Sequence, residues 1–124
     1  MPHAIRITVE DVSLAAELND SPTAAAVLDA LPIEASGSLW GEEIYFSIPV
    51  RAELAPDARA DMEVGELAYW PPGNAFCIFF GPTPASTGPA PRAASEVNPI
   101  GRVLDDVEPL KSVPDGAVVR IERA

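Results

Sequence analysis

The amino-acid sequence predicts a mainly β protein, a closed or nearly closed β-barrel of about eight short strands with one clear helix. The chain has 124 residues, so residues 1–124 suit a single domain. Its fourteen prolines and eight glycines are too many for a helical bundle and suit short strands joined by turns. Hydrophobic residues make up 48% of the chain, which is enough to fill a core.

The N-terminal segment alternates apolar and polar residues with the period of a half-buried strand. Ile5, Ile7 and Val9 share one face, and the alternation continues from Val12 to Leu18. The first eighteen residues therefore predict a β-hairpin.

The next segment predicts the helix, over about residues 22–31. Ser21 is a suitable N-cap, and Pro22 is favoured at the first helical position. Pro32 is expected to end the helix.

The middle of the chain predicts a strand followed by a polar connection. In "GEEIYFSIPV", residues 41–50, Ile44, Phe46 and Ile48 share the face expected to fill the barrel. Residues 51–63 are polar and weakly patterned, which indicates a surface connection.

Residues 64–81 predict a second hairpin. "VGELAYW" is its first strand, and "PPGN" suits a type II turn with Pro72 and Gly73 at the centre. "AFCIFFG" is almost continuously apolar, as expected for a strand buried on both faces. We expect the barrel interior on one face of this strand and a helix on the other.

The C-terminal part predicts a long loop and two further strands. Residues 82–98 have no regular pattern, and loops of this length are often functional. "PIGRVL" predicts a strand and "VPDG" a turn. The final strand, "AVVRIER", is expected to pair with the first strand and close the sheet.

Charge and cysteine content restrict the environment and the partners. Nineteen acids and eight bases give a formal charge of −11, which disfavours nucleic-acid binding. Cys77 is the only cysteine and the N-terminus has no signal-peptide pattern, so we expect a reducing cytoplasm. The uncharged stretch from Leu67 to Pro91 contains six prolines and cannot form a membrane-spanning helix.

Four segments carry a resemblance to a known family. They are "LNDSPTAAAVLDALPI", "WGEEIYFSIPV", "VGELAYWPPGNAFCIFFGPTP" and "NPIGRV". In this order they resemble the small bacterial and archaeal cyclophilin-like proteins of the TM1367 type. The resemblance implies a cyclophilin-like β-barrel across nearly the whole chain and implies no particular activity.

The sequence departs from the peptidyl-prolyl isomerases that share this fold. Those enzymes carry an F-H-R-V-I strand with a catalytic arginine, a Q-G-G-D stretch, and a later aromatic residue and histidine in the proline pocket. None of these motifs occurs here, and His3 is the only histidine. The usual isomerase site is therefore absent, and function must be argued from other residues.

No catalytic residue, metal or cofactor is assigned from the sequence. Cys77 lies in the middle of an apolar strand, where it is interpreted as a small buried hydrophobe. The acidic clusters at 57–63 and 105–108 lack the spacing of a calcium loop, and the His and Cys that zinc prefers are missing.

Six residues are candidate ligand contacts. Glu42, beside Trp40, would serve as an acid, a base or an acceptor for a ligand if it faces the barrel. Asn98 and Arg102 would offer donors to a carboxylate or carbonyl group. The full set is Glu42, Tyr45, Trp70, Phe80, Asn98 and Arg102.

These residues predict a binding module for a small molecule or a peptide. Two alternatives stay open: a divergent prolyl isomerase in which Arg102 replaces the missing arginine, and a component of an amide- or urea-metabolising enzyme. The isomerase requires Arg102 in an apolar cleft near Phe80, and a hydrolase requires a base near a nucleophile such as Cys77. An exposed strand edge would also allow a homodimer.

Overall fold

The computed structural model describes residues 2–124. Within this range the chain forms one α-helix, α1 (Pro22–Ala30), and ten strands. The strands are β1 (His3–Val9), β2 (Val12–Leu18), β3 (Ile33–Ser36), β4 (Ser38–Leu39), β5 (Glu43–Ser47), β6 (Arg59–Asp61), β7 (Glu66–Trp70), β8 (Ala75–Phe79), β9 (Arg92–Val103) and β10 (Val118–Arg123). No helix in the described range is long and apolar enough to cross a membrane.

All strand pairs are antiparallel, in the order β3-β10-β1-β2-β9-β7-β8-β5-β4, with β6 paired to β9. The predicted mainly β barrel with one helix is therefore confirmed. The two short strands, β4 with two residues and β6 with three, raise the number above the expected eight. Strands of this length are too short to show an alternating pattern in the sequence.

The N-terminal hairpin and the helix form where the sequence predicts them. β1 and β2 pair from His3↔Leu18 to Val9↔Val12. Ser21 caps the helix, because its Oγ accepts a hydrogen bond of 3.2 Å from the Ala24 N–H. Pro22 occupies the first turn, where its missing N–H has no consequence.

The sheet curls round without a hydrogen-bonded closure. β10 pairs with β1 as predicted, but it also pairs with β3, so the free ends of the sheet are β3 and β4. These two strands lie on either side of Gly37, whose N–H donates to the Ala117 carbonyl at 2.8 Å. A Cβ at Gly37 would lie 2.8 Å from Ile44 Cγ2, so the narrow seam requires glycine. The barrel is nearly closed.

Strand β8 is buried on both faces, as predicted. Phe76 and Ile78 point into the barrel core, while Cys77 and Phe79 belong to a second, outer cluster. The buried members of the outer cluster are Met62, Ala68, Ala75, Cys77, Phe79, Ala93 and Val97.

The expectation that a helix covers the outer face of β8 is wrong. Helix α1 packs against β2 and β9 and contributes Ala24 and Val27 to the barrel core. The outer face of β8 is covered instead by Met62, which follows β6, and by Ala93 and Val97 of β9.

The loop predicted over residues 82–98 is shorter than expected, because β9 begins at Arg92. Val97 pairs with Arg59 of β6, and Asn98 pairs with Tyr69 of β7. The connection over 51–63 likewise contains β6. These pairings involve distant parts of the chain and leave no local pattern in the sequence.

The turn between β7 and β8 is a 3-10 turn over Pro71–Gly73, so the predicted type II turn is wrong. A type II turn requires a positive φ at Gly73. The residue with positive φ is instead Asn74, at 48°, and its N–H donates to the Pro71 carbonyl at 3.1 Å.

Candidate functional site

A cavity of about 210 Å³ lies against the outer face of β5 and β8, beneath the first half of β9. Ala94 is the one exposed residue of the lining and therefore marks the mouth of the cavity. Its lining is rich in aromatic residues and consists of Trp40, Glu43, Tyr45, Trp70, Cys77, Ala93, Ala94 and Val97.

Strand alternation explains why an acid lies at this cavity. In β5, Ile44 and Phe46 point into the barrel core, so the residues of opposite parity point outward. Glu43 is paired with Phe79 and Tyr45 with Cys77 in the β5–β8 ladder. Because neighbouring strands place paired side chains on the same face, Glu43, Tyr45 and Cys77 lie together in the lining and form the floor of the cavity.

Two tryptophans form the walls of the cavity, and they are the only tryptophans in the chain. The indole N–H of Trp70 donates to Ser95 Oγ at 2.7 Å, and the ring lies close above Gly73. Trp40 is held by its backbone N–H, which donates to the Glu43 carbonyl at 2.9 Å. The ring of Trp70 is therefore anchored by its own hydrogen bond, the backbone of Trp40 is fixed beside Glu43, and both side chains are half-buried.

Glu43 is the most unusual residue of the cavity. It is only 6% exposed, and no cavity-lining residue is basic. Burial raises the pKa of its carboxyl group to about 7, an effect partly offset by hydrogen bonding with the Cys77 thiol. Among residues 2–124, no ion pair or backbone N–H holds this carboxyl group. It is therefore a buried acid that titrates near neutral pH.

Cys77 does not meet the requirement for an activated nucleophile. Burial first, and then the charge and hydrogen bonding of Glu43, raise the pKa of its thiol well above the usual range. A carboxyl group does lie beside the thiol, but it makes the thiolate less stable. The site consequently holds a neutral thiol at physiological pH.

The structure brings together two of the six candidates from the sequence, since Tyr45 and Trp70 both line the cavity. Glu42 is not part of the lining, and its side chain packs against Gly81 at the end of the β8 strand. Phe80 is 4% exposed and belongs to the barrel core. Glu42 and Phe80 therefore do not share a site with Tyr45 and Trp70.

Asn98 is 1% exposed and is committed to internal hydrogen bonds. Its Nδ2 donates to Thr23 Oγ1 at 3.1 Å and to the Glu53 carbonyl at 2.9 Å. Its Oδ1 accepts from the Ala55 N–H at 2.7 Å. The side chain thus fastens the connection after β5 to helix α1 and leaves no donor for a ligand.

Arg102 lies on the outer surface, with a side chain that is 68% exposed. Its Nε donates to Glu17 Oε1 at 3.1 Å. It does not lie in an apolar cleft near Phe80, so the geometric requirement of the isomerase alternative is not met.

The acidic clusters of the sequence serve structural contacts. Asp61 pairs with Arg92 at 2.7 Å, and Asp105 Oδ2 accepts from the Ala15 N–H at 2.8 Å. Nowhere in residues 2–124 do three or more His, Cys, Asp or Glu side chains gather as metal ligands would.

Sequence reasoning missed Glu43 and Trp40 as site residues. It weighed Glu42, because that residue has the parity of Ile44 and Phe46. A usable signal was present in β8: a strand buried on both faces needs a cover on its outer face. Residues of β5 that point to this face, such as Glu43, would then lie beneath the same cover.

Fold and site together define a small β-barrel domain with an acidic, aromatic cavity on the outside of its sheet. The family model described as Cyclophilin-like matches residues 3–122, so the chain belongs to the cyclophilin-like family. It is similar to the solution structure of the hypothetical protein AF2241 from Archaeoglobus fulgidus, with 43% identity and a TM-score of 0.84. The similarity covers 99% of this chain and 95% of that one. No protein with curated annotation matches the chain.

Proposed function

We propose that this protein is a small-ligand-binding module and that its ligand occupies the cavity between Trp40 and Trp70. One observation carries the proposal: Glu43 is 6% exposed, lines the cavity, and has the weak donor of the Cys77 thiol but no basic or backbone partner among the described residues. Burial of an ionisable carboxyl group is costly, and the hydrogen bond of the Cys77 thiol offsets this cost only in part. A ligand that donates a hydrogen bond to Glu43 would remove this cost.

The dimensions of the cavity favour a small molecule over a peptide segment. Its volume of about 210 Å³ is below the roughly 300–1,000 Å³ typical of sites for drug-sized ligands. The walls are aromatic, and Glu43 is the one charged residue of the lining. Such a site would bind the apolar part of a ligand by contact with the rings, and one polar contact would fix the orientation of the ligand.

The chemistry of Cys77 agrees with a module that works in a reducing cytoplasm. The thiol is buried, neutral and without a second cysteine in the chain. A surface with a formal charge of −11 favours solubility in that compartment.

Intrinsic fluorescence tests the proposal, because both tryptophans of the chain line the cavity. We would titrate the protein with small cationic, neutral and anionic fragments and record tryptophan emission. We expect saturable changes with at least one class, and their loss in Ala94→Phe, which blocks the mouth. Ala90→Phe, the same change on an exposed loop, is the matched control. Either no saturable change in any class or unaltered binding to Ala94→Phe would refute the proposal.

A further inference from the structure

The cavity places three aromatic side chains around one buried carboxyl group. Trp40, Tyr45 and Trp70 share the lining with Glu43. These rings do not stack on one another; in residues 2–124 the stacked ring pair is Phe46–Phe76 in the barrel core. These rings and the carboxyl group share the lining of a cavity of about 210 Å³.

Aromatic rings and a buried carboxyl group in one lining together select a particular ligand chemistry. Aromatic faces carry negative potential and attract cations, and rings that surround a site in this way recognise alkylammonium groups. A carboxylate additionally favours a cation with an N–H, because a charge-assisted hydrogen bond is stronger than a neutral one. The Cys77 thiol is the one hydrogen-bond partner that the Glu43 carboxyl group has among the described residues, and its two oxygens can accept a further donor from the cavity.

We propose that the cavity binds a protonated secondary or tertiary alkylamine, whose N–H donates to Glu43 while its alkyl groups pack on the rings of Trp40 and Trp70. This inference rests on the proposed function and names the ligand class for the same site. The amine is either a free small molecule or the end of an alkylated lysine side chain.

Charge complementarity separates this ligand class from neutral and anionic ones. The lining contains one acid and no base, and the whole chain carries a formal charge of −11. An anion would be repelled by Glu43, and a neutral aliphatic molecule would not compensate the negative charge of the Glu43 carboxylate. A cation compensates the charge that burial makes unfavourable.

Three probes of nearly equal shape test the class. They are protonated N,N-dimethylaminoethanol, its neutral carbon isostere 3-methylbutanol, and the quaternary ion choline, which has no N–H. Tryptophan fluorescence would give the affinity for each probe at about pH 8. At this pH Glu43 is mostly ionised, because its pKa is about 7. We expect dimethylaminoethanol to bind at least about tenfold more tightly than the isostere, with choline between them.

Two matched variants separate the role of Glu43 from general effects of charge. Glu43→Gln should lower the affinity for dimethylaminoethanol by about tenfold or more and remove the preference over the isostere. Glu42→Gln makes the same change one residue earlier, outside the lining, and should leave the affinity within about twofold. An equal loss in both variants would overturn the proposal.

The pH dependence gives a second readout that a merely structural Glu43 would not show. The titratable groups that share the lining with Glu43 are Cys77 on β8 and Tyr45 on β5. The Cys77 thiol stays neutral because its pKa is well above the usual range. Affinity for dimethylaminoethanol should fall as pH decreases from about 8 to about 6, because Glu43 becomes protonated. A flat profile would contradict the proposal.

The outcomes distinguish this inference from the broader proposal. If the isostere binds as tightly as the amine, or if only anionic fragments bind, the alkylamine class is wrong while a small-ligand module stands. If no fragment of any class changes the fluorescence, both fail. A peptide with dimethyl-lysine, compared with free dimethylaminoethanol, identifies the source of the amine, and tight binding of either one supports the inference.

Discussion

Burial of Glu43 lowers the stability of the folded protein at neutral pH, because burial favours the neutral form of its carboxyl group. The folded-state pKa of about 7 exceeds the ordinary value of 4.5, so the folded state keeps this proton to higher pH than the unfolded state does. Stability must therefore fall as pH rises from 4.5 through about 7. A residue that lowers stability at neutral pH is expected at a functional site.

Glu43→Gln tests this cost directly. Relative to the wild type, the variant should gain about 2 kcal/mol of unfolding free energy between about pH 5 and about pH 8, because glutamine cannot ionise. Urea denaturation of both proteins at the two pH values measures the change. A stability difference that is independent of pH would show that Glu43 is not buried as an acid.

Asn98 has the opposite role, since all its hydrogen bonds are internal. Asn98→Ala would leave the Ala55 N–H and the Glu53 carbonyl without their partner. We expect a loss of about 3 kcal/mol in unfolding free energy, measured by urea denaturation. Arg102→Ala, which removes an exposed ion pair on the same strand, should change stability by less than about 0.5 kcal/mol. Equal effects of the two substitutions would contradict this account.

At the level of elements, β9 connects the barrel to the cover of the cavity. Its first half packs over the outer cluster, and its second half pairs with β2 and β7. The close crossing occurs at Gly101, where a Cβ would overlap the backbone carbonyl of Glu17. Backbone cannot move aside as a flexible side chain can, so glycine is required for this crossing.

Gly101→Ala should therefore separate β9 from β2 and lower the unfolding free energy by more than about 2 kcal/mol. Gly88→Ala is the matched control, because no atom lies within 4 Å of a Cβ at that loop position. Thermal unfolding followed by circular dichroism would give the midpoint temperature of each variant. Similar midpoints for the two variants would rule out a tight crossing at Gly101.

The elements that local patterns specify were predictable, and those that depend on distant partners were not. Alternation revealed β1 and β2, and the Ser21 cap revealed the start of α1. Residues 92–98 consist largely of small or polar residues without alternation, so they resembled a loop. They become a strand because β6 and β7 offer them hydrogen-bonding partners.

For the molecule as a whole, the formal charge of −11 is the dominant long-range property. Self-repulsion of like charges destabilises the compact state, and salt screens it. Sodium chloride should therefore raise the midpoint of thermal unfolding by a few degrees at neutral pH. The effect should vanish near the isoelectric point of about 4.2. An equal rise at both pH values would exclude self-repulsion as its cause.

The site was less predictable than the fold because it depends on how the chain covers the outside of the sheet. Tyr45 and Trp70 were identified as candidates from the sequence, and both line the cavity. Asn98 and Arg102 are both polar residues in an apolar stretch of sequence. In the folded protein Asn98 is buried, whereas Arg102 lies at the surface. Glu43 lines the cavity together with Ala93, Ala94 and Val97 of β9, which a local sequence pattern does not reveal.

The most direct test of the account is the pKa of Glu43 in the ligand-free protein. Carbon-13 NMR of the glutamate side-chain carboxyl carbons would follow its titration, with the signal assigned by its absence in Glu43→Gln. We predict a pKa of about 7. A pKa near 4.5, the ordinary value for glutamate, would contradict the burial of Glu43 as an acid in this cavity.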